Sequence, residues 1–475
     1  MAVYEAERDE AEQLIPPAAA ELSALPGPLG GLSVRRQVLT LALWPFLEQT
    51  LGFAVGFADT AISGRLSVSA TEAIAVGAYL NWLMTLMFGA VGIGAGALVA
   101  RGIGGRNRGL VRAVVGQALV ACIGLGVLMG GVVYAAAPVF CSTMNLVGAS
   151  WDHGIVYLRV LAWGTPALGI MFVNAACLRS SGNTRTPFFV LTLVNAVNVV
   201  TSLLFVFGPQ PIGGHGVAGI AAGTVVAYCV GAVAVLLVLI RQRGALRLFR
   251  HRLAFDLTTM QRMLRISGPQ FFDSLALWGG NFLLATLVGR LGKTIEPGAL
   301  AAHIVTIRIE ALSFMPGWAL GQAAAALVGQ YLGLGDARRA RQAVSYCWAA
   351  AAIVMGGLGI AFFCFPRPLI ELITHEPSLV EMGSKLLRIC GPFQLFLGTA
   401  MVMEQSIRGA GDTRPVALLV AFSTFCVRLP LAYLFAFTFG WGVAGIWIGV
   451  CLENMLRGSL DSAYFLSGRW SRVHV

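Results

Sequence analysis

The chain has 475 residues, of which 57% are hydrophobic and only 12% charged, and its mean hydropathy is +0.77. A soluble domain is excluded by that balance, which is typical of a chain dissolved in lipid. The net charge of +11 reads as a topology signal, because its arginines gather in alternate connections, and nucleic acid is not an expected partner.

The first 36 residues start acidic, are rich in Ala and Pro, and close on Arg35 and Arg36. They lack the basic start and short apolar core of a cleaved signal peptide, and a disordered cytoplasmic tail is expected over 1–36. Apolar runs of about 20 residues, enough to cross roughly 30 Å of hydrocarbon, then predict about twelve spans. They lie near 37–62, 73–100, 112–137, 154–178, 187–208, 217–240, 264–288, 299–328, 342–365, 380–406, 415–438 and 441–466. Alternation of apolar and polar residues over ten-residue segments, the barrel signature, is absent. The expected fold class is therefore an all-α integral membrane bundle: an N-terminal lobe over 37–240, a basic linker over 241–263, a C-terminal lobe over 264–466 and a cytoplasmic tail over 467–475.

With the N-terminus inside, cytoplasmic connections hold Arg101, Arg106, Arg108 and Arg112, then Arg179 and Arg185, then Arg241, Arg243, Arg247, Arg250 and Arg252. Arg338, Arg339, Arg341, Arg408 and Arg414 follow in the second half. The opposite connections hold little beyond Arg65, Arg290, Lys293, Arg367 and Lys385, so both termini are expected in the cytoplasm of a bacterial-type inner membrane. Nine cysteines are scattered singly and read as buried thiols, with no metal site and no cofactor expected. No nucleophile, phosphate-loop or metalloprotease motif supports an enzyme.

Two loops repeat. "CLRSSGNTRTP" at 177–187 is answered by "SIRGAGDTRPV" at 406–416, and one offset relates Arg179 to Arg408, Gly182 to Gly411, Thr184 to Thr413 and Arg185 to Arg414. "GHGVAGIAAG" at 214–223 is answered by "GWGVAGIWIG" at 440–449. "LVARGIGGRNRGLVR" at 98–112 is answered by "LVGQYLGLGDARRAR" at 327–341, with Gly104 facing Gly333. Two six-span halves of equal sense form a parallel repeat about an axis along the membrane normal, the usual frame of an alternating-access transporter. The glycines of the loop motif are expected to take positive φ after a helix end, and its arginines to anchor each lobe.

The same stretches, with "FADTAISGRL" at 57–66, resemble the motifs of the MATE (multidrug and toxic compound extrusion) family. The resemblance covers nearly the whole chain after residue 36. It implies a cation-coupled exporter of amphipathic, often cationic small molecules, built as a V-shaped pair of six-helix lobes.

Ionisable groups inside a membrane are functional candidates by default. Asp59, toward the outer part of the first span, leads them, since a carboxyl in low dielectric can exchange a proton near neutral pH; capping of the helix end is the other reading. The resemblance places this aspartate in a polar cluster with Asn174, Asn195, Asn198 and Thr224, but puts Ser202 where a second acid is expected. In the other branch of the family the acids belong to the C-terminal lobe, at positions held here by Leu277 and Leu397. Asp273, one turn before Leu277, is a substitute, and Glu48 follows Pro45 much as Asp273 follows Pro269. Each binds an inside-open cavity or pairs with an arginine. Glu48 and Asp59 share a helix face about 16 Å apart.

His303 and Glu310, seven residues apart on one face, form a proton relay or part of an ion-pair network, and the same choice holds for Glu404, Arg428, Glu453 and Arg457. Aromatics such as Phe53, Phe57, Tyr79, Trp82, Trp278, Phe314 and Trp318 offer faces for a flat cation. The expected function is a cation-coupled multidrug antiporter, with H+ favoured over Na+, working as a monomer among membrane lipids. A flippase for a lipid-linked or polar metabolite is the alternative, and that reading requires a strongly cationic cavity.

Overall fold

A computed structural model describes residues 25–64, 67–242 and 244–473, without the side chains of 54–64, 250 and 251. Twelve long helices run through these residues. The N-terminal six are α1 (Val34–Gly64), α2 (Val68–Gly104), α3 (Arg108–Thr143), α4 (Ala149–Ser180), α5 (Arg185–Phe207) and α6 (Gly216–Arg241). The C-terminal six are α7 (Leu257–Thr294), α8 (Ala299–Gly333), α9 (Ala337–Cys364), α10 (Pro377–Gly409), α11 (Thr413–Thr438) and α12 (Gly442–Leu466). All twelve expected spans have their helix. Ten of the helices are long and apolar enough to cross a membrane, and the chain is a multi-pass membrane protein.

The helix boundaries follow local chemistry. Asn107 caps α3 by accepting from the Leu110 N–H at 2.9 Å, and its partner in the repeat, Asp336, caps α9 by accepting from Arg339 N–H at 2.8 Å. These short polar side chains satisfy first-turn donors that the helix cannot. Within α10, Pro392 lacks the N–H to continue the α pattern, and a tight turn at Gly391–Phe393 interrupts the helix.

Each lobe is organised around its fourth helix. In the N-terminal lobe α4 packs on α2, α3 and α6; in the C-terminal lobe α10 packs on α8, α9 and α12. Between lobes, α1 leans on α8 and α7 on α2, so the first helix of each half is shared with the second helix of the other. The most apolar window of α2 is 72% buried and that of α8 67%, against 28% for α5, α7, α9 and α11. That contrast puts α2 and α8 at the lobe junction and leaves much of the others facing lipid, where exposed Val200, Ile353 and Leu418 are at no disadvantage.

Residues 1–24 of the expected tail lie outside the described residues. In its remainder Leu25 and Leu29 are buried in one apolar cluster with Leu327 and Tyr331 of α8. The C-terminal end is also packed: the Trp470 ring stacks on Phe465 at 4.7 Å and its Nε1 donates to the Phe465 carbonyl at 2.7 Å.

Candidate functional site

The doubled loop turns out to be an anchor, made twice. Arg179 Nη1 donates to Glu48 Oε1 at 3.0 Å, and Arg408 Nη2 donates to Asp273 Oδ2 at 2.9 Å. In each lobe the pair ties the fourth helix to the first, so Glu48 and Asp273 take the arginine-pairing role. Thr184 Oγ1 donates to the Thr40 carbonyl at 3.3 Å, and Thr413 Oγ1 to the Ile266 carbonyl at 2.7 Å. Gly182 and Gly411 reverse the chain with φ of 95° and 88°, a left-handed backbone that suits glycine.

The same loops meet the opposite lobe. Arg101 Nη2, at the end of α2, donates to the Ala410 carbonyl at 2.9 Å and to the Val473 carbonyl at 2.9 Å. Gln330, the repeat partner of Arg101 on α8, donates through Nε2 to the Ser180 carbonyl at 2.8 Å. Between these grips the backbones touch. A Cβ on Gly104 would stand 1.9 Å from the Gln330 carbonyl oxygen, and one on Gly333 would stand 2.2 Å from the Arg101 carbonyl oxygen. Only glycine permits that approach, and the arginine-rich end is therefore closed.

Farther along the lobe junction, aromatic rings bridge α2 and α7. Tyr79 lies 5.0 Å from Trp278, 5.8 Å from Trp82 and 6.1 Å from Phe282, and Trp278 stacks on Phe282 with an interplanar angle of 5°. Phe314 and Trp318 stack separately on α8 at 5.9 Å. The half-buried Tyr79, Trp278 and Phe282 present aromatic surface where the lobes face each other.

Of the N-terminal polar set, the structure brings Asn198 and Thr224 together, with Asn198 Nδ2 donating to Thr224 Oγ1 at 3.1 Å. Asn174 is fully buried and spends its amide on the Ile170 carbonyl at 2.8 Å, within its own helix. Three buried oxygens, Asn174 Oδ1, Asn198 Oδ1 and Ser202 Oγ, and one nitrogen, Asn195 Nδ2, have no hydrogen-bond partner among the described residues. The side chain of Asp59 lies outside the described residues, as does that of Phe57.

The C-terminal lobe carries a larger charged assembly. Glu453 receives Arg428 Nη2 at 2.7 Å and Ser423 Oγ at 2.8 Å, and lies 3.6 Å from Arg457. Arg457 in turn approaches Glu404 at 3.0 Å, which stands 3.4 Å from Arg408. With Gln270 donating to Asp273, the chain of contacts runs from α7 through α10 and α12 to α11. Asp461 is 2% exposed, one turn beyond Arg457, with Oδ2 unpartnered among the described residues. Glu404, Arg428, Glu453 and Arg457 are thus an ion-pair network, one of the two expected readings.

Asp461 was missed by the sequence reading, although its spacing of four from Arg457 and eight from Glu453 puts all three on one side of α12. The relay reading of His303 and Glu310 finds no direct link: Trp447 Nε1 donates to His303 Nδ1 at 3.1 Å, and Gln394 Nε2 donates to Glu310 Oε1 at 3.0 Å. Trp447 and Gln394 come from distant helices, and no periodicity announces them.

The sequence model of the MatE family matches residues 46–204 and again 269–434, once in each lobe. A probable multidrug resistance protein NorM of Thermotoga maritima is 29% identical over 442 residues, covering 93% of this chain and 94% of that protein. The multidrug resistance protein MdtK of Edwardsiella ictaluri is 25% identical over 427 residues, covering 87% and 91%. Among solved structures, an outward-facing conformation of a multidrug resistance MATE family transporter of the MOP superfamily superposes with a TM-score of 0.86 at 18% identity, covering 96% of this chain and 100% of that one. At that identity the likeness is one of fold.

Proposed function

Since the chain belongs to the MatE family, we propose that it is a multidrug efflux antiporter of the cell membrane that exports amphipathic, often cationic compounds by alternating access, with protons favoured as the coupling ion. The observation that carries this reading is the closure of the arginine-rich end by two related lobes, through Arg101 on Ala410 and Gln330 on Ser180. The direct polar contacts that close this end are few and paired, and rigid lobes can exchange such a closure for an opening on that side. Relatives named for multidrug resistance support the substrate class, and the rings of Tyr79, Trp278 and Phe282 suit flat cations.

Asp59 is proposed to take a proton from the outer side and so favour release of the drug. Proton and drug must prefer different states or compete for the carboxylate, since a ligand without differential affinity drives nothing. Sodium is the second reading, and one observation favours it: the orphaned oxygens of Asn174, Asn198 and Ser202 are the hard donors such an ion needs. The flippase reading loses support, because the two intramembrane arginines it would draw on are taken: Arg428 is tied to Glu453 at 2.7 Å and Arg308 is also engaged.

Efflux of a fluorescent cationic dye from cells expressing the chain tests this, with Asp59→Asn and Asn198→Ala beside it. Efflux is expected to collapse with a proton uncoupler at fixed sodium and to fall to the background of empty cells in Asp59→Asn. Wild-type efflux by Asp59→Asn would reject the assignment, and loss of efflux on removing sodium alone, sharpened in Asn198→Ala, would transfer the coupling to that ion.

A further inference from the structure

The two loop anchors are near copies, but their surroundings differ. In the N-terminal lobe the guanidinium of Arg185 lies over the Trp44 ring, 5.1 Å from its centroid. Its repeat partner Arg414 instead stands at the edge of a cavity of about 380 Å³, whose walls include Arg262 and Arg265 of α7, Asp412 and Thr413 at the start of α11, and Val473. Taking the Thr184–Thr40 and Thr413–Ile266 hydrogen bonds as register, Arg262 is matched by Arg36 but Arg265 by Leu39. The full set of three guanidiniums therefore belongs to one lobe only.

Its chemistry is that of an anion site. Arg262, Arg265 and Arg414 are exposed, and none of them has a hydrogen bond, ion pair or ring contact among the described residues. The arginines just inside the lobe, Arg408, Arg428 and Arg457, are all consumed by carboxylates. Asp412, the one acid among the described residues of the wall, accepts from Tyr464 Oη at 2.5 Å, so among these residues three guanidiniums face a single carboxylate that is already engaged. No side chain caps the first turn of α11, and its free N–H groups add the positive end of the helix dipole.

The flanks point to lipid. Phe272 follows Arg265 by seven residues, which returns it to within about 20° on the same face of α7 and about 10 Å deeper. Leu418 stands one turn from Arg414 on α11. These two residues are 70% and 72% exposed, and α7 and α11 are packed together. A basic mouth at the membrane surface leads onto two apolar side chains at acyl depth. We propose that this cavity binds the phosphate headgroup of an anionic phospholipid of the arginine-rich leaflet, with its chains lying over Phe272 and Leu418.

The test uses the full chain in neutral detergent, titrated with phosphatidylglycerol and followed by native mass spectrometry and thermal unfolding. Phosphatidylcholine and free glycerol phosphate are the comparison ligands. Phosphatidylglycerol is expected to bind and raise the unfolding midpoint, with affinity falling about fivefold for each guanidinium lost in Arg262→Gln, Arg265→Gln and Arg414→Gln. Arg185→Gln is expected to bind as the parent does, and these exposed arginines leave the folded core intact. Equal binding of phosphatidylcholine, unchanged affinity in the triple variant, or an equal loss in Arg185→Gln would overturn the site. Binding of glycerol phosphate as tight as that of the lipid would overturn the lipid assignment and leave a soluble phosphate ester as the ligand.

Discussion

A chain carrying Gly333→Val is expected to lose dye efflux and to rest with its lobes apart at the arginine-rich end. The Cβ alone would stand 2.2 Å from the Arg101 carbonyl oxygen and 2.9 Å from the Gly105 nitrogen. Those are backbone atoms of the opposite lobe, which cannot rotate out of the way as a side chain would. Overpacking costs about 1–3 kcal/mol where neighbours can adjust, and here the cheapest adjustment is to part the lobes. A penalty of roughly 3 kcal/mol already displaces a two-state balance by more than a hundredfold. Gly104→Val faces the Gln330 carbonyl and should behave alike, while Gly356→Val on α9, with nothing within 4 Å of its Cβ, is the control. Spin labels at exposed positions 108 and 338 would read the separation: one short distance in the parent, a longer and broader distribution in both junction variants. A short distance with normal efflux in Gly333→Val would show that the closure is softer than its geometry indicates.

The second large effect concerns the duplicated ion pair. Arg408→Gln should destabilise the protein by about 3–5 kcal/mol, because Asp273 is 3% exposed and would be left as an uncompensated buried charge. Arg179→Gln removes the equivalent partner of Glu48, whose side chain is 18% exposed; water can reach it, and about 1 kcal/mol is expected. Thermal unfolding in detergent checks the ranking, and Asp273→Asn with Arg408→Gln should recover more than half of the loss, since breaking one partner costs more than removing both. Equal midpoints for the two single variants would refute the burial argument.

What was legible in the sequence divides along physical lines. Span length and charge asymmetry depend on the bilayer alone, so all twelve helices and the two-lobe repeat were visible without contacts, and the register of Arg179 with Arg408 led directly to the anchors. The polar pair Asn198 and Thr224 was reached through resemblance. What escaped was set by tertiary packing: Trp447 against His303 and Gln394 against Glu310, each brought in by a helix far away in the chain; Asp461, on the same side of α12 as Arg457, was legible by spacing and went unread. Arg408 shows the limit well: pairing of Asp273 with an arginine was open as one of two roles, and Glu404 stands four residues before Arg408 on the same helix, but nothing in the sequence showed that Arg457 of α12 would join Glu404. The packing of Leu25 and Leu29 against the lobes also runs against the compositional expectation for that tail, because two buried leucines weigh little in an average over 36 residues.

The paired grips of Arg101 and Gln330 have a mechanical corollary. They sit on opposite sides of one pseudo-twofold axis, with the glycine contacts between them, and each is carried by the end of a long, well-packed helix. Under the proposed alternating access, stiff bodies joined in this way cannot release one grip and keep the other without bending a helix, so unlocking is expected to be all-or-none. The two latches are nevertheless unequal. Gln330 holds one carbonyl with a neutral amide, whereas Arg101 spends a charge on two, and the second belongs to Val473, so the proposed opening would release Val473 together with the lobes.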